Sequence, residues 1–295
     1  MRLSGVVPPL VTPFLPDGSV DHAAFEANLA SLAAADLAGF LVLGSNGEAA
    51  ALDEGEKLDL VAAARRAAPG RFLLAGAGTE STRGTIALVR KVADLGADAV
   101  LILTPHFYRG RMSEEALRRH FTAIADASPV SVYLYSVPAF TALPWPPGLA
   151  AALAGHPRIA GMKESSGDVA LLGRIVASVP ASFEVACGNA PAFYPALCVG
   201  AVGGVLAVAN CLPRLVGALY RAFVAGDHER ARGLQQALTP LALAVTSTWG
   251  VAGLKAAMDL SGLQGGEVRS PLLPAPAAAR QEIRGLLERA QAALG

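Results

Sequence analysis

The stretch RIAGMKESSGDVALLGRIVASVPASFEVACGN (residues 158–189) contains two short apolar runs separated by one amphipathic segment. The runs RIAGMKES and FEVACGN have the length of buried strands, and Asp168 is placed to cap a helix between them. A buried strand, a helix and a second buried strand together predict a parallel βαβ unit, with both faces of its sheet covered.

The same alternation runs through the first two thirds of the chain. Further strands are predicted at GVVPPL, GFLVLG, RFLLAGAG, ADAVLILT, VSVYLYSV and VGGVLAVAN. Helix starts are predicted at Asp21, Asp53, Ser81, Ser113 and Asp168. Eight strand–helix units favour a (β/α)8 TIM barrel over residues 1–210. An open doubly wound sheet is the alternative, but VVPPLVTPF lacks the glycine-rich phosphate loop that such a sheet normally carries after its first strand.

After about residue 210 the strand-like runs stop and consecutive helical segments follow. Residues 211–295 are therefore predicted to form a C-terminal helical extension that packs on the barrel. No low-complexity linker or fixed-period repeat divides the chain, so we expect a single structural unit.

Composition limits the classes of partner. The chain of 295 residues has a formal net charge of zero and a pI near 7, which gives no electrostatic footprint for nucleic acid or an anionic membrane. No apolar run is long enough to span a bilayer, and the N-terminus does not resemble a signal peptide, so a cytoplasmic location is expected. Cys187, Cys198 and Cys211 lack metal or redox spacing and are expected to be reduced, mostly buried thiols.

The chain has only four lysines. Lys57, Lys91 and Lys255 fall in helical segments where a solvated position is available. Lys163 instead ends a strand-like run, where a cation is costly unless it is paired or deprotonated, and a deprotonated amine is a usable nucleophile. An ion pair with a carboxylate at the strand end is the alternative.

In a barrel of this kind the carboxyl ends of the strands meet at one mouth, where active sites are built. The second strand delivers Ser45 and Asn46 there, the fifth delivers Tyr135, and the sixth delivers Lys163 and Ser165. These residues suit Schiff-base chemistry: the lysine adds to a ketone, the tyrosine moves protons, and the loop at Ser45 binds a carboxylate.

A metal-dependent aldolase is the rival chemistry, and it would need clustered histidines and carboxylates at these strand ends. The five histidines are scattered, and only His106 falls at a predicted strand end. We therefore expect no metal and no separate cofactor, the covalent link being an imine on Lys163.

Three motifs of the chain resemble those of the dihydrodipicolinate synthase and N-acetylneuraminate lyase superfamily: GSNGEAA, YSVPAFT and GMKESSGD. The resemblance extends along nearly the whole chain. The resemblance implies a (β/α)8 barrel with C-terminal helices, assembled as a homodimer or homotetramer, that forms an imine with pyruvate or a related 2-oxo acid. It implies catalytic roles for Lys163, Tyr135 and Ser45. The residues that it implies in substrate binding are Ser45, Asn46, Ser165, Phe140, Gly204 and Val205.

Within the superfamily the chain most resembles 4-hydroxy-2-oxoglutarate aldolase, which implies cleavage of a 4-hydroxy-2-oxo acid to pyruvate and an aldehyde such as glyoxylate. Phe140 stands where dihydrodipicolinate synthases carry an arginine for the carboxylate of aspartate semialdehyde. That synthase reaction is the alternative. Phe107 replaces a tyrosine of the family's proton relay, so a catalytically impaired 2-oxo acid binding protein is the alternative from another class.

Overall fold

The computed structural model describes residues 3–294, in which eight parallel strands form one sheet in the order β1-β8-β7-β6-β5-β4-β3-β2. The strands are β1 (Gly5–Val7), β2 (Gly39–Val42), β3 (Phe72–Gly76), β4 (Ala99–Leu103), β5 (Ser131–Ser136), β6 (Ile159–Glu164), β7 (Glu184–Cys187) and β8 (Gly203–Val205). The Leu10 N–H donates to the Leu41 carbonyl over 2.7 Å, which joins the chain beyond β1 to β2 and closes the barrel. The predicted TIM barrel is confirmed, and the open sheet is wrong.

Helices cover the outside of the barrel. They are α1 (His22–Ala33), α2 (Glu54–Ala67), α3 (Thr82–Asp94), α4 (Glu114–Ala127), α5 (Pro138–Thr141), α6 (Leu149–Leu153), α7 (Val169–Ser178), α8 (Phe193–Cys198), α9 (Pro213–Val224), α10 (His228–Leu243), α11 (Gly250–Leu260) and α12 (Ala277–Ala292). A π-helical turn, Ala244–Thr248, separates α10 from α11.

The predicted helix starts are confirmed. Each of the five residues accepts a hydrogen bond from a backbone N–H in the first turn of its helix, which satisfies a donor that the helix itself leaves free. Asp53 also forms a complete capping box with Glu56. The caps are Asp21, Asp53, Ser81, Ser113 and Asp168.

Alternation along the strands creates two apolar layers. On β5, Tyr133 and Tyr135 face the barrel interior, whereas Val132 and Leu134 face the surrounding helices. The β5–β6 register pairs Tyr135 with Lys163, so the parallel strands place these two residues side by side. This pairing positions the candidate site.

The chain beyond β8 is helical, as expected. Helix α9 packs on β1 and occupies the position of the eighth crossover helix, and α10, α11 and α12 follow it. The predicted division after residue 210 is not tested by this packing and stays a prediction. Among the described residues, no helix combines the length and apolarity needed to cross a bilayer.

The expectation of a solvated position for Lys255 is wrong. The side chain of Lys255 is 2% exposed and forms an ion pair with the equally buried Glu48. The segment around Lys255 is helical, as its periodicity predicts. The barrel loops and the other C-terminal helices enclose α11, however, so the helix face that was expected to contact solvent is buried. Lys91 lies on the surface beside Glu54, as expected.

His120 on α4 gives the fold an acid-sensitive point. The residue is 6% exposed and its Nδ1 lies 2.9 Å from Thr82 Oγ1, and burial lowers its pKa from 6.5 to about 4. The folded protein resists protonation of His120. The stability that the neutral ring provides is therefore complete above pH 6.5, and about 3 kcal/mol of unfolding free energy is lost as the pH falls towards 4.

We therefore expect His120→Gln to reduce the loss of unfolding free energy between neutral pH and pH 4 by about 3 kcal/mol, measured by urea unfolding at each pH. His22→Gln, at an exposed histidine on α1, is the control and should leave that loss unchanged. Equal acid sensitivity in His120→Gln and the unaltered protein would contradict the prediction.

Candidate active site

Lys163 is the central residue of the candidate site. It lies near the carboxyl end of β6 and is 3% exposed, and its Nζ donates to the Tyr135 hydroxyl over 3.4 Å and lies 4.4 Å from the centre of the Tyr135 ring. Among residues 3–294, no carboxylate forms an ion pair with Lys163. The alternative explanation, a lysine paired at a strand end, therefore finds no partner in the described structure.

Glu164 does not supply that partner, because strand alternation turns it to the outer face of β6. There it is 1% exposed, and its Oε1 accepts the Ser166 N–H over 2.9 Å. Burial raises the pKa of Glu164, and the hydrogen bond from Ser166 partly opposes the shift. The lysine and the neighbouring carboxyl group thus occupy opposite sides of the same strand.

Tyr135 connects Lys163 to an open cavity. The residue is 6% exposed and lines a cavity of about 800 Å³ at the barrel mouth, together with Ser45, Thr104 and Phe140. A phenolic hydroxyl can donate or accept a proton, so its position between an amine and a cavity suits proton transfer to a bound carbonyl compound.

Ser45 and Asn46 belong to the 3-10 turn Ser45–Gly47 that follows β2. The Gly47 N–H donates to the Gly44 carbonyl, and Thr12 Oγ1 donates to the Gly47 carbonyl over 2.8 Å. A side chain at Gly47 would come within 2.9 Å of the Leu10 carbonyl oxygen, so the close approach requires glycine. These contacts hold Ser45 at the edge of the cavity, with Asn46 next to it.

Gly188 is a site residue that the sequence analysis missed. A Cβ atom there would lie 1.8 Å from Ser165 Oγ and 2.8 Å from Lys163 Cε. Ser165 Oγ is itself buried without a hydrogen-bond partner among the described residues. Gly188 follows directly after β7, so the rule that strand ends build the site would have found it.

We expect Gly188→Ala to lower the rate of Lys163 modification by a 2-oxo acid by roughly a hundredfold, because the added methyl group overlaps Ser165 Oγ and comes too close to Lys163 Cε, so both atoms must move. The measurement is the initial rate of reductive trapping with pyruvate and borohydride. Gly233→Ala is the matched control, because a Cβ at this position of α10 meets open space. Trapping at the unaltered rate in Gly188→Ala would contradict the prediction.

The remaining predicted residues differ in position. Val205 on β8 lies in the interior layer with Tyr135. Gly204 has Phe193 and Leu206 on the side where a Cβ would project, so it faces the outer helices and only its backbone could serve a ligand. Phe140 on α5 is 66% exposed at the cavity rim.

The loop after β4 presents two aromatic rings to solvent. Glu80 Oε2 accepts the N–H groups of His106 and Phe107 over 2.9 and 2.8 Å, and Glu80 Oε1 lies 2.9 Å from His106 Nδ1. Phe107 and Tyr108 are 75% and 69% exposed, and neither is among the residues that line the cavity. Phe107, which stands where the family has its relay tyrosine, therefore supplies no hydroxyl group to the cavity of this chain.

A competing nucleophile and a group of metal ligands would each change the chemistry of the site. Cys187 is buried beside the site, and burial raises the pKa of its thiol to about 12, so it stays protonated and is not a competing nucleophile. Within residues 3–294, no three His, Cys, Asp or Glu side chains are grouped closely enough to hold a metal ion. The absence of a metal and of a separate cofactor stays a prediction.

A TIM barrel that encloses a lysine beside a tyrosine at its mouth has the parts of a Schiff-base-forming lyase. The comparisons agree with this class. The chain belongs to the dihydrodipicolinate synthetase family, whose family model matches residues 2–290.

Named relatives cover the chain almost completely. The 4-hydroxy-tetrahydrodipicolinate synthase of an Exiguobacterium species is 33% identical over 286 residues, which is 97% of each chain. The dihydrodipicolinate synthase structure from Thermotoga maritima superposes with a TM-score of 0.94 at 29% identity and covers 99% of both chains. A prophage protein of this family from Escherichia coli, solved in complex with pyruvate, has a TM-score of 0.91 at 28% identity and also covers 99% of both chains.

Proposed function

We propose that the protein forms an imine between Lys163 Nζ and the C2 carbonyl carbon of pyruvate or a related 2-oxo acid, and then makes or breaks a carbon–carbon bond to an aldehyde. The observation that carries the proposal is the burial of Lys163 beside the Tyr135 hydroxyl, with no ion pair to a carboxylate in the described structure. A primary amine held beside a hydroxyl group that can move protons is placed to add to a carbonyl carbon.

Each residue of the candidate site has a role in the proposed reaction. Addition of the amine to C2 gives a carbinolamine, and loss of water gives the imine, which draws electrons away from C3. Tyr135 assists the proton transfers, including those at the C4 hydroxyl when the carbon–carbon bond forms or breaks. Ser45 and Asn46 orient the carboxylate, and Ser165 and the backbone at Gly204 and Val205 complete the 2-oxo acid site.

Borohydride trapping tests the proposal directly. The protein is incubated with pyruvate and reduced, and its intact and peptide masses are compared with those of a sample reduced without pyruvate. We expect one pyruvyl adduct, on Lys163. A folded protein that forms no adduct with several 2-oxo acids would contradict the proposal.

Two aldehydes are candidates for the second substrate. The names of the relatives support aspartate semialdehyde, the substrate of the synthase reaction, better than the glyoxylate of the aldolase reaction that the sequence resemblance implied. Phe140 offers no positive charge to the carboxylate that aspartate semialdehyde and glyoxylate both carry, so an exposed aromatic ring at the rim does not by itself select between them. Synthase assays and cleavage of 4-hydroxy-2-oxoglutarate distinguish the two.

We expect Phe140→Arg to raise kcat/KM for aspartate semialdehyde by roughly tenfold, because a guanidinium at the rim can bind its carboxylate through two hydrogen bonds. The yield of pyruvate adduct should not change, since Phe140 lies at the rim. Phe140→Leu is the control for loss of the ring alone. An unchanged preference in Phe140→Arg would show that this position does not select the aldehyde.

We further propose that the active form is a homo-oligomer, because tetramers are typical of this family. Measurement of the native mass tests this directly. A cytoplasmic location stays a prediction.

A further inference from the structure

Glu48 ends the turn that carries Ser45 and Asn46, and its conformation is unusual for a residue with a side chain. Its backbone angles are φ 52° and ψ 35°, in the left-handed region that favours glycine. The side chain is 2% exposed, although it carries a carboxylate. Two unfavourable features at one residue indicate that the surrounding structure holds it in place.

The carboxylate of Glu48 is held from the C-terminal extension. Its Oε1 lies 2.5 Å from Lys255 Nζ on α11, and its Oε2 accepts the Arg269 N–H over 2.9 Å. Lys255 Nζ also donates to the Glu267 carbonyl and lies 4.5 Å from the centre of the Phe14 ring. Both charged side chains are thus enclosed, and their ion pair joins residues more than 200 positions apart in the sequence.

Arg269 strengthens the same attachment. Its guanidinium makes two hydrogen bonds of 2.6 Å to the Glu56 carboxylate and donates to the carbonyls of Gly18 and Ala51. The segment that follows α11 is therefore fastened to the loops after β1 and β2 on both sides of Glu48.

The backbone transmits this attachment to the candidate site. The Glu48 N–H donates to the Ser45 carbonyl over 3.1 Å, and the Ala51 N–H donates to the Glu48 carbonyl. A change in the backbone angles of Glu48 would therefore move Ser45 relative to Lys163.

A buried ion pair is weak support for stability, because apolar residues of similar volume often stabilise a fold as well. We propose that Glu48 and Lys255 are positioning residues: their ion pair holds the left-handed turn so that Ser45 and Asn46 receive the carboxylate of the 2-oxo acid. The inference rests on the proposed function and assigns to the C-terminal extension a part in substrate binding.

The test uses Lys255→Met, Glu48→Gln and the double variant Glu48→Gln/Lys255→Met. For each, borohydride trapping is measured across a range of pyruvate concentrations and, separately, with acetone, a ketone that lacks a carboxylate. We expect the half-saturating pyruvate concentration to rise about tenfold or more in every variant, with the maximal adduct yield and the trapping of acetone unchanged.

The double variant separates positioning from stability. It leaves no unpaired buried charge, so its melting temperature should recover relative to the single variants, while its half-saturating pyruvate concentration stays raised. If a single variant does not fold, the double variant alone decides. Lys91→Met/Glu54→Gln, which removes a surface pair of the same residue types, is the matched control and should behave as the unaltered protein.

Three results would overturn the inference. An unchanged half-saturating concentration in the folded variants, or its recovery in the double variant, contradicts positioning while leaving the proposed function intact. Absence of any pyruvate adduct in the unaltered protein contradicts the proposed function, and this inference with it.

Discussion

Lys163→Met and Lys163→Arg should lower turnover by roughly four orders of magnitude or more and abolish the pyruvate adduct. Methionine keeps the apolar stem that packs beside Tyr135 but has no amine. Arginine places a guanidinium group at the same position, and a guanidinium group does not form a stable imine. Lys163 is 3% exposed, is enclosed by the barrel and lies beside the Tyr135 hydroxyl.

The measurement is steady-state turnover of a 4-hydroxy-2-oxo acid and of pyruvate with aspartate semialdehyde, together with peptide mass analysis after borohydride reduction. Lys91→Met is the control, since Lys91 lies on the surface. Substantial turnover in either Lys163 variant, with the fold retained, would refute the imine mechanism.

Tyr135→Phe should lower kcat by roughly 10²- to 10³-fold while changing the half-saturating pyruvate concentration little. The hydroxyl group lies 3.4 Å from Lys163 Nζ and its ring lines the cavity, so it can move protons to and from the reacting carbonyl compound. Removing one oxygen leaves the ring in place, and the binding of the 2-oxo acid carboxylate should persist.

Tyr133→Phe is the matched control for this variant. Tyr133 lies two residues earlier on the same strand and also faces the interior, but its hydroxyl donates to Glu184 over 2.7 Å, away from Lys163. Tyr133→Phe should therefore lower the melting temperature and leave kcat nearly unchanged. Equal kcat values for Tyr135→Phe and the unaltered protein would remove the proton-transfer role.

These predictions depend on residues that local patterns place well. The alternation of apolar runs with capped amphipathic segments predicts the barrel, because burial of both faces of a parallel sheet and the capping of free N–H groups are short-range requirements. The convergence of strand ends then places Ser45, Tyr135 and Lys163 at one mouth without any knowledge of contacts. The motifs around them identify the family, which the comparisons confirm.

Other features depend on the tertiary structure. The short run IAGMKE shows that Lys163 ends a strand, but only the β5–β6 register shows that it faces Tyr135 rather than a carboxylate. The lack of space for a side chain at Gly188 depends on how closely the ends of β6 and β7 approach each other. The exposure of Phe107 depends on a hydrogen-bonding carboxylate, Glu80, from the preceding βα loop.

The amino-acid pattern, read locally, is thus sufficient for the barrel, the helix starts, the buried lysine and the family. The tertiary structure decides that Lys255 is buried, that it pairs with Glu48, and that the C-terminal extension is fastened to the Ser45 turn. The physical reason is the separation in sequence between the residues that interact. Caps and strand alternation are set by residues a few positions apart, whereas the buried ion pair joins residues more than 200 positions apart, and no local pattern predicts that contact.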